Sequence, residues 1–453
     1  MKSFASLVAF VLLAAGVPAQ NADAAHKELA KKEAAAGRDP EALVRTAEWA
    51  RSNGLADDAK RILQGVLKIA PDNEAANKAL GNERVDGVWM TPQQAEQARK
   101  RARDAAMAAK GLVEVDGVYV EKDKAEDARK GIFHAGSELV TKEEFAEFEK
   151  GRVRHPVTGD FIDSKDLEQA KARRFAIGTD GRWVEEAEAD RHHADLARPW
   201  YVRKKQYTLQ STLPIAKLES TLEHVERALA LVQPLLGFAV PKPADRPLIV
   251  IAADTRQYRQ FGNAMGDASS SFGAFLAQDP NTIAVPLQGD VRPVLCLWDE
   301  SWGPYNLPHA IGLAFAQALC TEVDTELPNW LLQGIGAYGS RFGSPATAAW
   351  FAQRLAKAGG VKDLGSWLGS FAINGSMEFD EIDAAMTQAG LVVAFCVAGG
   401  DAEATRAMQG LTEAFRTQKA SSIGQACKAL QNTLATKQAA VADYLVKLAK
   451  QGG

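Results

Sequence analysis

His309 stands near the start of an almost wholly apolar run, LPHAIGLAFAQALC at residues 307–320. On a helix, positions i and i+4 share one face, so a histidine followed four residues later by a second can hold one zinc ion. A glutamate beside the first histidine would then act as base on the metal-bound water. At those two positions the chain carries Leu313 and Ala310. Neither can bind a metal or take a proton. His309 is the only histidine after His224, and Cys320 lies 11 residues further along the same run. At about 1.5 Å per residue that is about 16 Å, too far to share an ion with His309.

Other residue patterns suggest chemistry and fail on context. GIGAYG at residues 334–339 fits a dinucleotide-binding fingerprint literally. Such a site needs a strand before it and an acidic residue about 20 positions later. Here PNWLLQ precedes it and no acidic residue follows until Asp363, so its small residues are expected to let helices pack closely. Ser269, Ser270 and Ser271 form a run without the GxSxG elbow of a nucleophilic serine. Neither they nor Asp299 has positional support as partners of His309. His192 and His193 are adjacent in a charged helical pattern and point about 100° apart, which predicts solvated side chains.

The elements that must hold these residues are set by a chain of 453 residues, long enough for two or three domains. A formal net charge of −4 gives no basic surface for nucleic acid. The start, MKSFASLVAFVLLAAGVPAQNADAA, has the order of a secretory signal peptide: Lys2, an apolar stretch, then small residues. Export to the periplasm, cell surface or exterior is expected, with residues 1–19 as the signal. No later segment is expected to be long and apolar enough to span a membrane, so no stable insertion is expected after cleavage. Cys296, Cys320, Cys396 and Cys427 all fall in the last third. Disulfides and buried free thiols are equally open readings.

Charge density divides the chain: residues 121–170 carry 22 Asp, Glu, Lys or Arg, against 5 in residues 271–320. Residues 20–82 predict a helical hairpin and the start of a third helix, with Gly54 at the turn. Trp49, Gly54, Leu55, Ala59 and Pro71 make it resemble one tetratricopeptide unit. Residues 83–198 hold a short repeat: DGVWM, DGVYV, GSELV, TGDFI and DGRWV, each followed by a charged helical pattern. Asp-Gly and Thr-Gly pairs predict hairpin turns, Thr91 and Thr141 predict helix caps, and Pro92 suits a first helical position. Trp89, Tyr119, Leu139, Phe161 and Trp183 are expected to form the core of each repeat.

Residues 199–453 read as a long helix, a buried strand PLIVIAAD, a strand pair GAFLA and TIAVPL, the His309 helix, and a helical remainder. Here LPHAIGLAF followed by ELPNWLLQGIGAY resembles the peptidase-MA-like gluzincins, zinc metallopeptidases with an LPxWLxEGxAxY segment. Leu327, Pro328, Trp330, Leu331, Gly334, Ala337 and Tyr338 match that segment. The resemblance implies an α+β domain with a small sheet and a mainly helical tail, and a third metal ligand at the position of Gln333. Ala310, Leu313 and Gln333 thus replace the base and two ligands, leaving His309 as the survivor of a vestigial site, with Trp330, Gly334 and Tyr338 as its frame. The function implied is a pseudopeptidase: an exported binding or scaffold protein with no cofactor, holding an extended polypeptide or another exported protein against a sheet edge. The alternative is an active hydrolase with a non-standard metal or serine site that uses His309.

Overall fold

A computed structural model of the protein describes residues 19–264, 274–276, 293–298, 300–373 and 377–451. Apart from Ala19, the expected signal peptide lies outside the described residues. The chain is α+β and multidomain, and divides into two compact units, one ending at Ala125 and one starting at Glu126.

The first unit opens with helices α1 (Ala19–Ala36), α2 (Pro40–Ser52), α3 (Ala56–Ile69) and the short α4 (Glu74–Ala79). Asp39 caps α2 by accepting from the Glu41 N–H, and Pro40 takes the first helical position, where its missing donor costs nothing. Gly54 turns the chain at φ +82°. Val44, Ala47 and Ala50 of α2 then bury against Ala59, Ile62, Leu63 and Val66 of α3. Two hairpins follow, β1 (Glu83–Val85) with β2 (Val88–Met90) and β3 (Leu112–Val115) with β4 (Val118–Glu121), separated by α5 (Pro92–Ala108). Their turns hold Asp86 and Gly87 at φ +48° and +85°, and Asp116 and Gly117 at +50° and +81°. This is the paired left-handed geometry that matches strand twist.

The second unit begins within α6 (Ala125–Arg129), at Glu126, and continues with three more hairpins. These are β5 (Phe133–Ala135) with β6 (Glu138–Val140), β7 (Val153–Arg154) with β8 (Phe161–Ile162), and β9 (Arg174–Ile177) with β10 (Arg182–Glu185). Helices α7 (Lys142–Glu149), α8 (Leu167–Lys171) and α9 (Glu186–His193) trail them. Thr91 and Thr141 both make the expected capping boxes, with Gln94 and Glu144. The expected core positions need correcting. Val120, Val140, Ile162 and Val184, one residue further along, are the buried ones, whereas Leu139 is 42% exposed and Trp89, Tyr119, Phe161 and Trp183 are half-buried. Side chains alternate along a strand, so a one-residue offset puts the aromatic on the opposite face.

The terminal sheet has the order β11-β12-β13-β15-β14. Its strands are β11 (Trp200–Arg203), β12 (Thr208–Ser211), β13 (Leu248–Ala252), β14 (Ala274–Leu276) and β15 (Val294–Leu297). The central three run parallel, and β11 and β14 are antiparallel at the two ends. Of the predicted strand pair, GAFLA contributes β14, and TIAVPL lies outside the described residues. The connecting helix α10 (Ile215–Val232) packs with Leu209, Ile249, Ile251, Val294 and Cys296 on one face. Val250, Ala252, Leu295 and Leu297 meet Tyr258 of α11 (Thr255–Ala264) on the other.

Eight helices complete the described residues: α12 (Gly303–Thr321), α13 (Asn329–Arg341), α14 (Pro345–Lys357), α15 (Leu364–Ser370), α16 (Phe379–Ala398), α17 (Ala402–Thr417), α18 (Ala420–Ala435) and α19 (Gln438–Lys450). By length and composition alone α16 is long enough to cross a membrane, which corrects the expectation for the later segments. Its window is 78% buried inside the unit, so its apolar residues serve the core. All four cysteines are free and buried. Burial pushes the thiols up, to about 12 for Cys320 and Cys396 and about 11 for Cys427.

Candidate functional site

Helix α12 starts where β15 ends. The Asn306 side chain donates to the Leu297 carbonyl at 3.0 Å, fixing the first turns of the helix against the end of that strand. Pro308 sits inside α12, where it has no N–H to offer the Pro304 carbonyl. The next residue, His309, is 3% exposed.

Its Nε2 lies 2.8 Å from Oε1 of Gln333 on α13. An amide oxygen only accepts, so Nε2 carries the proton and donates. Nδ1 is left with a buried lone pair and no hydrogen-bond partner among the described residues. Burial, reinforced by the positive charge of Arg341 and opposed by the Gln333 bond, pushes the ring down to about 4. His309 is therefore a neutral imidazole near pH 7.

The other expected positions fall around this pair. Ala310 and Leu313 are both fully buried, and Gln333 is 8% exposed. Trp330 is 1% exposed and its indole Nε1 has no acceptor among the described residues. A Cβ at Gly334 would come within 2.9 Å of the Ala389 carbonyl of α16, so the glycine allows two helices to touch backbone to backbone. Tyr338 is partly buried against the same core, which pushes its hydroxyl up. One imidazole, one amide, an alanine and a leucine are not a ligand set for zinc. Among the described residues no group of three or more His, Cys, Asp or Glu is placed to hold a metal ion. The residues present do not fit the metal.

The remaining candidates resolve separately. The GIGAYG glycines lie inside α13. A Cβ at Gly336 would sit 2.6 Å from the His309 carbonyl, and one at Gly312 would sit 2.9 Å from Gly336. They bring α12 and α13 together; they do not cradle a phosphate. Ser269, Ser270, Ser271 and Asp299 lie outside the described residues. His193 departs from the solvated reading: it is half-buried, its ring stacks 3.9 Å from that of Trp200, and Nδ1 donates to the Arg198 carbonyl at 2.7 Å.

One polar cluster escaped sequence reasoning. Arg341, at the end of α13, donates through Nη1 to Asp383 Oδ1 at 2.7 Å, to the Asp383 carbonyl at 2.9 Å, and to Thr387. Arg354 of α14 reaches Asp383 Oδ2 through Nε and Nη2, each at 3.1 Å. The Arg341 guanidinium also lies over the Phe351 ring at 4.7 Å. Its one sequence signal is Asp383, an acid near the start of an otherwise apolar helix. The cluster bonds α13, α14 and α16 around one carboxylate and supplies the charge that disfavours a proton on His309.

No family model matches the chain, and no curated protein matches it.

Proposed function

We propose that the chain is an exported, non-catalytic binding or scaffold protein whose terminal unit keeps a zinc-peptidase-like frame without its metal chemistry. The observation that carries this reading is the bond between His309 and Gln333. Two helices bring together the positions that the resemblance assigns to a first and a third ligand, and an amide and a neutral imidazole fill them with one hydrogen bond in a closed core. Leu313 and Ala310, at the positions of the second ligand and the base, pack into the same interior.

The partner class that suits the frame is an extended polypeptide adding to a sheet edge. The Arg203 N–H of β11 already donates to the Thr158 carbonyl at 2.7 Å, so one end of the sheet is engaged. At the other end β14 is the outermost strand among the described residues. Its backbone groups are the proposed docking line.

The test is the metal content and peptide-cleaving activity of the purified chain from about residue 20 onward, after exposure to zinc and exhaustive dialysis. The expected result is far below one zinc per chain and no cleavage of a mixed peptide pool. Stoichiometric zinc, or cleavage, that disappears in His309→Ala would overturn the reading and put the hydrolase first.

A further inference from the structure

Five rings form a column through the second unit. His193 stacks on Trp200 at 3.9 Å, Trp200 meets Phe175 edge-on at 5.0 Å, Phe175 stacks on His155 at 5.0 Å, and His155 faces Trp183 at 6.3 Å and 14°. The column joins the β7–β8 turn, the β9–β10 hairpin, the end of α9 and the first strand of the terminal sheet. Beside it, Asp190 Oδ1 accepts from the Trp200 indole at 3.0 Å and from the Ile215 N–H at the start of α10 at 2.8 Å.

The two histidines differ in what a proton would do. His155 is 4% exposed and uses both ring nitrogens. Nε2 donates to the Arg174 carbonyl at 3.1 Å, while Nδ1 accepts from the Val157 and Thr158 N–H groups at 3.2 and 3.3 Å. A second ring proton can go only to Nδ1, where it would face two donors and lose both bonds. His193 donates from Nδ1 to a carbonyl, so a proton added at Nε2 leaves that bond intact.

The charges around His155 do not compensate. On the β9 side, Arg173 is paired with Glu186 and, at 2.7 Å, with Glu219 of α10, and Arg174 with Glu185 at 3.0 Å. In its own turn Asp160 is paired with Arg203 of β11, and beyond Trp183 Arg182 is paired with Glu188 at 2.7 Å. The two charges that act on the ring are Arg173, which disfavours a proton there, and Glu219, which favours one and is already engaged by Arg173. Around His193 stand His192, Asp190 with its two donors, and the Asp195–Arg198 pair at 2.9 Å.

We propose that His155 is an acid-sensitive latch: protonation at Nδ1 breaks the turn at residues 155–160 and frees the β7–β8 and β9–β10 hairpins from β11 of the terminal sheet. The same turn engages the outer edge of β11 through Thr158, so opening the latch exposes that edge. Burial already holds the ring's proton affinity below that of a free histidine, near 6.5. A group depressed in the fold contributes stability that is fully present above the unfolded value and lost as pH falls through the folded one. The inference does not depend on the binding role proposed above.

The experiment is amide exchange of the whole mature chain at about pH 7.5 and about pH 5, with protection factors corrected for the intrinsic pH dependence of exchange. Residues 153–162, 174–185 and 200–203 are expected to lose roughly ten-fold more protection than α16 at the lower pH, in excess of the loss that His309 of α12 brings to the unit as a whole. His155→Asn, whose carbonyl can accept from the same turn but does not titrate, is expected to abolish the excess loss, and His193→Gln to retain it. No excess loss in the wild type, an equal excess in His155→Asn, or none in His193→Gln would overturn the latch. Should His155→Asn fail to fold, the titration of the His155 ring in the wild type decides: a midpoint well below that of free histidine supports the latch, and one at or above it overturns it.

Discussion

Gln333 offers His309 one carbonyl oxygen, and that oxygen is the only polar partner the ring has among the described residues. Gln333→Leu would leave a buried N–H unpaired, a loss that costs about 1–3 kcal/mol. A lower denaturant midpoint with an unchanged slope is expected, read by circular dichroism. Because the ring is neutral in the fold, its burial favours the folded chain above about pH 6.5 and loses that advantage as pH falls toward about 4. At this scale the pair was legible only through the resemblance, which supplied position 333. The cluster of Arg341, Arg354 and Asp383 was not, since three helices far apart in the chain build it and no local spacing encodes their meeting.

Among elements, α12, α13 and α16 approach so closely that glycine is required where they touch. Gly336→Ala would drive a methyl group into the His309 backbone, and overpacking of this kind costs about 1–3 kcal/mol. Gly410→Ala should act in the opposite direction, stabilising by about 0.5–1 kcal/mol, because that glycine lies in α17 with nothing within 4 Å of the added carbon. Thermal unfolding of the two variants checks both signs. Hairpins and caps were readable because their signals are local, as with Asp86-Gly87, Asp116-Gly117 and the Thr91 and Thr141 boxes. Strands β12 and β15 were not predicted. Residues 208–211 are all buried although Thr208, Gln210 and Ser211 are polar, so no alternation marks them, and residues 294–297 are an apolar run too short to assign by period.

For the molecule as a whole, the compact unit that holds the terminal sheet starts at Glu126, well before residue 199, the start expected for the terminal segment. One tie across that boundary is Arg246, 4% exposed, which donates to both oxygens of Glu144 at 2.8 and 2.9 Å and to the Leu139 carbonyl at 2.8 Å. That ion pair holds the Glu144 carboxyl below its usual range against the opposing effect of burial. A chain cut to begin at residue 199 would lose those three bonds to Arg246 together with the core contacts of Val157, Phe175, Ile177 and Val184 beside Trp200 and Val202. It is expected to unfold at lower temperature than a chain beginning at residue 126, and scanning calorimetry of the two compares them directly. Equal stabilities would mean the hairpins contribute nothing to the sheet.

The strand order β11-β12-β13-β15-β14 also sets a timetable. Each hairpin joins residues a few positions apart and closes in roughly 1–10 μs. The parallel ladder pairs Ser211 with Ile251 and Ile251 with Cys296, so it must wait for distant segments to meet. Helix α7, which carries Glu144 just after the β5–β6 hairpin, is likewise local and forms before the strands that flank Arg246 meet. The hairpins of the second unit are then in place when the slower sheet assembles.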